Sequence, residues 1–316
     1  LLIEKIESGD ISQITQIDMR KAGHIYWDDA DTTPRNLTRI ERDIGFLLKG
    51  LPLTRHGSIF VAQDRKRLYY LKALVIGPVG SPYENGCFEF DILIPPEYPQ
   101  VPPKCTLVTT GKKAVRFNAN LYQNGKVCLS LLGTWQGPGW DPKVSSLLQV
   151  VESIPFNIMI GEPVAGHPWF NEPGYMDEHC PSGSEGSLTA FGRDCSKEYN
   201  RQIRRCTVKH AMLDMLKHPP PAFKSVIVEH FKSYSETIEA KVKEWTEEEG
   251  ASGGVLAKLK DMLNIAHSSE SMQVVIDETQ AVLSKANGDD GEEDCGVSIA
   301  ATKVGAAAAA AVAAAA

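Results

Sequence analysis

A chain of 316 residues, 42% hydrophobic and 23% charged, has the make-up of a soluble globular protein with material for one or two domains and a sizeable core. Its formal charge of -7 offers no general basic face for phosphates, which argues against nucleic acid as the main partner. No apolar run reaches the roughly 18 residues that span a bilayer and no signal peptide is evident, so no membrane contact is expected. A reducing compartment is expected instead, cytoplasmic with the nucleus also open to it, where a conspicuous cysteine among the seven present is more readily catalytic than disulfide-bonded. The opening Leu1 in place of Met suggests a piece of a longer polypeptide.

Residues 1–33 read as an N-terminal segment and linker. Ile6, Ile11, Ile14 and Ile17 recur at a spacing that predicts one short helix, and Asp28 to Thr33 then read as linker. From Pro34 onward Leu37, Ile40, Ile44, Leu47 and Leu48 fall on one helical face, with Pro34 suited to the first turn and Gly50 and Pro52 to the stop. Strands are predicted over Ser58–Gln63, Leu68–Ile76, Cys87–Leu93 and Lys104–Val108, parted by turn signals such as Gly77-Pro78 and Asn85-Gly86. That pattern is a four-stranded antiparallel meander after one helix, an α/β (α+β) arrangement. Ser145 to Ile160 predicts a buried helix that Pro155 should kink or stop. Residues 177–196 read as a Gly/Ser-rich loop, and 197–286 as a helical extension with helices at 197–217, 221–248, 255–265 and 270–286. The acidic and poly-alanine stretch 287–316 reads as a disordered tail.

The chemistry concentrates in Arg116-Phe-Asn-Ala-Asn-Leu-Tyr-Gln-Asn-Gly-Lys-Val-Cys-Leu-Ser-Leu-Leu132. Asn124-Gly125 predicts a two-residue hairpin turn, since both residue types tolerate positive φ. Gln123 would then pair with Lys126 and Leu121 with Cys128, leaving Asn120 one residue off the cysteine and Asn118 pointing to the same side as Asn120. A thiol can accept an acyl group as a thioester. A neighbouring carboxamide N–H is a neutral donor for the oxyanion that forms when an amine attacks. No histidine lies near Cys128 in sequence, which favours acyl transfer over hydrolysis. The bland alternative is that a cysteine in Val127-Cys-Leu-Ser-Leu131 is simply core.

The segment resembles the active-site region of ubiquitin-conjugating enzymes, in which His-Pro-Asn precedes the catalytic cysteine. The flanking pieces resemble that family in order: Gly77-Pro-Val-Gly-Ser-Pro-Tyr-Glu-Asn-Gly86, Phe88-Glu-Phe90, Pro95-Pro-Glu-Tyr-Pro-Gln-Val-Pro-Pro103, Trp140-Asp-Pro142 and Ser145-Ser-Leu-Leu148. The likeness covers roughly residues 36–176, within a core domain set at 34–176. Phe117-Asn-Ala-Asn-Leu-Tyr122, Gly125 to Trp135 and Phe170-Asn-Glu-Pro-Gly-Tyr175 resemble more narrowly the large conjugase–ligase hybrids of the BRUCE (apollon) type. The resemblance implies the UBC fold, with Cys128 as thioester acceptor, Asn120 as catalytic asparagine and Glu172 as an acid near the incoming lysine. A solvated loop acid is the plain alternative for Glu172.

It further implies ubiquitin, an activating enzyme, substrate proteins and a ligase as partners, and no cofactor, ATP being consumed by the activating enzyme upstream. The assignment requires that the Cys128 sulfur be reachable by a protein's carboxyl terminus. The chain departs from the family where His-Pro-Asn becomes Asn118-Ala119-Asn120, which puts the rigidity of that loop in question, and where Gln100 stands in place of a ligase-contacting phenylalanine. Rival readings are a non-catalytic ubiquitin-binding module of the same fold, a conjugase for another ubiquitin-like modifier, and a fragment whose helices serve assembly. Trp135 and Trp140 are expected to pack over the active-site loop. A zinc site from His179, Cys180, Cys195 and Cys206 lacks ligand spacing.

Overall fold

Chain order and spatial order coincide in the sheet: β1 (Ile14–Ile17), β2 (Ile59–Asp64), β3 (Tyr70–Ile76), β4 (Cys87–Leu93) and β5 (Lys104–Leu107) lie side by side. β2 to β5 form the expected antiparallel meander, with Tyr70 opposite Leu93 and Phe90 opposite Leu107. The computed structural model describes residues 2–29, 33–54, 57–160 and 199–249, all in one compact unit, Leu1–Leu259. The helices expected at 255–265 and 270–286, the 177–196 loop, the tail, His179, Cys180, Cys195 and Glu172 lie outside the described residues.

The fifth strand corrects the sequence reading. The isoleucine spacing that predicts a single helix instead splits into a short helix, α1 (Leu2–Glu7), and β1. Gly9 takes φ 85°, which ends the helix, and Ile14-Thr15-Gln16-Ile17 is rich in the β-branched residues that suit a strand. β1 joins the edge of β2 in parallel, Ile14 opposite Val61. Gln13 secures the approach by donating from Nε2 to Ile59 O at 2.8 Å.

Residues up to Asp29 are likewise no bare linker, because they cross one face of the sheet. His24 accepts at Nδ1 from the Tyr26 amide, so its Nε2 carries the proton and donates to Leu71 O at 3.0 Å. Burial holds this imidazole below its ordinary pKa, in keeping with a neutral ring. The Trp27 and Tyr70 rings meet at 5.0 Å between centroids. Beneath this strap Lys72 Nζ bonds Asp91 Oδ1 at 2.5 Å and Glu89 Oε1 at 2.9 Å. The other Asp91 oxygen accepts from the Ile25 amide at 2.7 Å.

Helix α2 (Leu37–Gly50) begins later than Pro34 suggested, because the Asn36 side chain accepts from Arg39 N and caps it. Ile40, Ile44 and Leu47 are buried as the periodicity predicts, whereas Leu37 is exposed. Arg39 bolts the helix to Asp43 within it and to Pro142 O and Ser145 O at the start of α3 (Leu147–Ser153). After α3 the backbone widens into a π-helical turn, Ile154–Ile158, where Pro155 has no N–H to continue the α ladder. The extension opens with α4, helical over 199–217 and π-like across Thr207–Leu213. The run expected over 221–248 is two helices, α5 (Lys224–Ser233) and α6 (Ser235–Glu249), parted at Tyr234, which leaves helical geometry at φ -116° and ψ 15°. Arg204 of α4 lies over the Trp245 ring of α6.

Candidate active site

Two turns build the site. In the first, Asn118 and Leu121 bond each other across a tight corner, so the segment is not extended and Asn118 does not run parallel to Asn120. Instead Asn118 Oδ1 accepts from the Asn120 amide at 2.9 Å. In the second, the hairpin register differs from the two-residue turn read from Asn124-Gly125. Gly125 N donates to Tyr122 O, Tyr122 N donates to Lys126 O, and Leu121 faces Val127. Only Gly125 takes positive φ, at 90°, so the loop has three residues with the glycine at its left-handed position. Lodging against β5 makes this glycine obligatory. A Cβ at Gly125 would lie 2.6 Å from Leu107 O and 2.7 Å from Thr106 Cγ2.

The one-residue shift matters, because it sets Asn120 directly across from Cys128 rather than beside it. Cys128 N donates to Asn120 O at 2.8 Å, and Asn120 Nδ2 donates back to Cys128 O at 2.8 Å. The acceptor on Cys128 requires a donor, which fixes the orientation of the carboxamide. Asn120 Oδ1 is buried and has no hydrogen-bond partner among the described residues. A buried amide oxygen left unpaired costs about 1–3 kcal/mol, and such a group in a native fold calls for an explanation beyond packing.

The surrounding chain is clamped. Thr134 Oγ1 donates to Val127 O at 2.8 Å and accepts from Leu129 N at 3.0 Å, so the peptides on both sides of Cys128 are held. Arg116 Nη2 donates to Ala119 O, and its guanidinium lies 4.1 Å from the Tyr122 ring centroid. Asn118, standing where the family pattern has histidine, donates from Nδ2 to Tyr83 Oη at 2.9 Å and to Ile158 O at 3.1 Å. The loop thus keeps its anchor with a carboxamide. Thr134, Tyr83 and Arg116 went unmarked in the sequence reading, although each lies in or beside a quoted motif. Tyr83 was the legible one, since a tyrosine inside the Gly77–Gly86 turn is fully buried in the structure.

Two expectations fare differently. Trp140 does not pack over the active-site loop; its Nε1 donates to Pro99 O and its ring meets Tyr98 in the proline-rich loop. Cys128 itself is closed off, at 1% exposure, so a protein's carboxyl terminus cannot reach its sulfur in this arrangement. Chemistry at Cys128 therefore requires whatever covers it to shift. Burial pushes the thiol of Cys105 up to about 12 and that of Cys87 higher still, which marks both as core residues rather than nucleophiles. Among the described residues no cluster of three or more His, Cys, Asp or Glu is placed to hold a metal ion.

The family model described as ubiquitin-conjugating enzyme matches residues 48–180. Human BIRC6, a dual E2 ubiquitin-conjugating enzyme/E3 ubiquitin-protein ligase, is 43% identical over 222 residues, 69% of this chain but 4% of that protein. The probable ubiquitin-conjugating enzyme protein 17 of Caenorhabditis elegans is 37% identical over 257 residues, 78% of this chain and 33% of that protein. Human ubiquitin-conjugating enzyme E2 Z is 38% identical over 223 residues, 69% of this chain and 56% of that protein. The chain spans less than two thirds of each of these three relatives. Its ordered motifs, α+β core and shared sequence agree: the chain belongs to the ubiquitin-conjugating enzyme family, of the type that BIRC6 and E2 Z represent.

Proposed function

We propose that this chain accepts ubiquitin from an activating enzyme as a thioester on Cys128 and transfers it to substrate lysines, directly or with a ligase. One observation carries the site assignment: Asn120 and Cys128 are locked face to face by a reciprocal pair of hydrogen bonds. The Cys128 sulfur attacks the activated carboxyl end of ubiquitin, and the thiol of the activating enzyme leaves with a proton. A lysine amine then attacks the thioester carbonyl. The amide bond forms as the C–S bond breaks, and the Cys128 thiol is restored. Negative charge gathers on the carbonyl oxygen during that attack, and an N–H of Asn120 is the neutral donor for it. Glu172, outside the described residues, is assigned to orient and help deprotonate the lysine, whose amine is mostly charged at neutral pH. ATP is spent upstream and the chain needs no cofactor of its own. Cytoplasmic work, extending to the nucleus, fits this role.

The test is to incubate the chain with activating enzyme, ATP and ubiquitin, to look for a reductant-sensitive adduct, and to repeat with other ubiquitin-like modifiers. Ubiquitin is expected to load. Cys128→Ser should give a reductant-resistant ester or no adduct. Asn120→Ala should load yet discharge to lysine about 10²–10³ more slowly. Discharge of Asn120→Ala at the wild-type rate would remove the oxyanion role, and a chain that never loads would leave the non-catalytic module as the reading.

A further inference from the structure

The helical extension is built into the core beside the site. Gly86 has no side chain, and a Cβ there would sit 2.8 Å from Thr207 Cγ2 and 3.1 Å from Ala211 Cβ, so α4 seats directly on the Gly77–Gly86 turn. Thr207 Oγ1 donates to Pro82 O at 3.0 Å, and His230 of α5 bonds through Nε2 to Asn85 O at 3.2 Å. These contacts bring the first described residues of α4 to the asparagine loop. Tyr199 is buried, and its hydroxyl donates to Phe117 O at 3.2 Å. The same carbonyl accepts from Tyr83 Oη at 2.8 Å, and Tyr83 Oη accepts in turn from Asn118 Nδ2. Burial lifts the Tyr83 phenol to about 12, so it stays a neutral donor throughout the working range.

The hydrogen bonds form one path. From Tyr199 and Tyr83 it runs through Phe117 O and Asn118 to the Asn120 amide, and from Asn120 to both backbone groups of Cys128. Asn118-Ala119-Asn120 has no proline to stiffen it, so its shape depends on such external ties. We propose that Tyr199, contributed by the extension, is a positioning residue for Asn120: its hydroxyl holds the Phe117 carbonyl and so sets the carboxamide against Cys128. This rests on Asn120 and Cys128 carrying the transfer. A misplacement of about 1 Å can cost up to about a hundredfold in rate, so losing one of two ties on that carbonyl should cost about tenfold.

The experiment uses the full chain, loaded with ubiquitin, purified from activating enzyme and chased with free lysine in single turnover. Tyr199→Phe keeps the ring and removes only the hydroxyl. Its discharge rate is expected to fall about tenfold, and Tyr83→Phe, which strips the other hydroxyl from the same carbonyl, should slow discharge in the same direction. Thermal melts of both variants are run alongside, and a tenfold fall in a variant that melts as the wild type does supports the proposal. The deciding readout is the Asn120→Ala background. If Tyr199 acts through Asn120, adding Tyr199→Phe there changes discharge no further. Wild-type discharge by Tyr199→Phe, or an equal fall with and without Asn120, overturns the proposal. A wild-type chain that fails to load instead overturns the reading beneath it.

Discussion

Cys128 and Asn120 are buried like the sheet strands, yet different forces hold the loop and the sheet. β2, β3 and β4 are covered along their whole length, and most of that surface is apolar, with one buried charge cluster of Lys72, Glu89 and Asp91 under the N-terminal strap. The Cys128 loop rests on directional bonds: Asn118, Asn120, Thr134, Tyr83 and Tyr199 each tie a specific backbone atom. Apolar burial is tolerant of position and sets stability. Hydrogen bonds are worth little net in stability but fix geometry to fractions of an ångström. Damage to the sheet should therefore appear in unfolding, and damage to the loop in rate.

The strongest way to break this division is Lys72→Ala. Both carboxylates would be left buried without their cation, and burial already pushes the Glu89 carboxyl above its ordinary pKa. Removing one partner of a buried ion cluster typically costs about 3–5 kcal/mol. Urea unfolding should show that loss, while lysine discharge per folded molecule stays near wild type. A comparable fall in discharge would mean that the sheet and the loop are one mechanical unit.

Gly125→Ala is the next probe, since it sits where the two regions touch. Alanine at φ 90° is strained, and its Cβ would press on Leu107 O of β5. The combined cost should be about 2–3 kcal/mol, read from the urea midpoint. Unlike Lys72→Ala, this change should also slow discharge, because the hairpin register that sets Asn120 opposite Cys128 depends on this glycine.

How much of this was legible in the sequence follows the same divide. Period and punctuation located α2 and four strands within a few residues, because apolar burial writes itself into spacing. The ordered motifs singled out Cys128 and Asn120. The failures were matters of direction. Ile6, Ile11, Ile14 and Ile17 admit a helical face; Gly9 and the β-branched Ile14, Thr15 and Ile17 are weak local signals against it, and only the free edge of β2 decides that Ile14–Ile17 pairs as a strand. The hairpin has one residue more than a two-residue turn, with Gly125 lodged against β5 and its carbonyl accepting from Leu107 N, tertiary contacts that Asn124-Gly125 does not encode. Tyr199 lies more than 70 residues beyond Cys128 in sequence, and only the seating of α4 on Gly86 brings it to Phe117. The closure over Cys128 is likewise a property of packing that no motif shows.

The gentlest test separates the extension from the sheet by pH. His230 is buried beneath α5 against Asn85 O, and its pKa is lowered from 6.5 to about 4, chiefly by burial, the Asn85 bond opposing it in part. The unfolded chain therefore binds this proton near pH 6.5, whereas the folded chain resists it until about pH 4. With the folded pKa depressed, stability is full above the unfolded value and drains away as pH falls from 6.5 towards 4. Between pH 7 and pH 5 the loss from this one group should be about 2 kcal/mol. His24, also held down by burial, adds to it in the same direction. His230→Gln keeps a donor for Asn85 O but has no titration, so its stability should decline less over that interval. Because α5 and α4 share the Gly77–Gly86 seat, the protection of α4 amides from hydrogen exchange, taken relative to the intrinsic rate at each pH, should fall with acid in the wild type and fall less in His230→Gln. If protection falls equally in both, the acid sensitivity lies elsewhere, and His230 is not what couples the extension to the turn beside Tyr83.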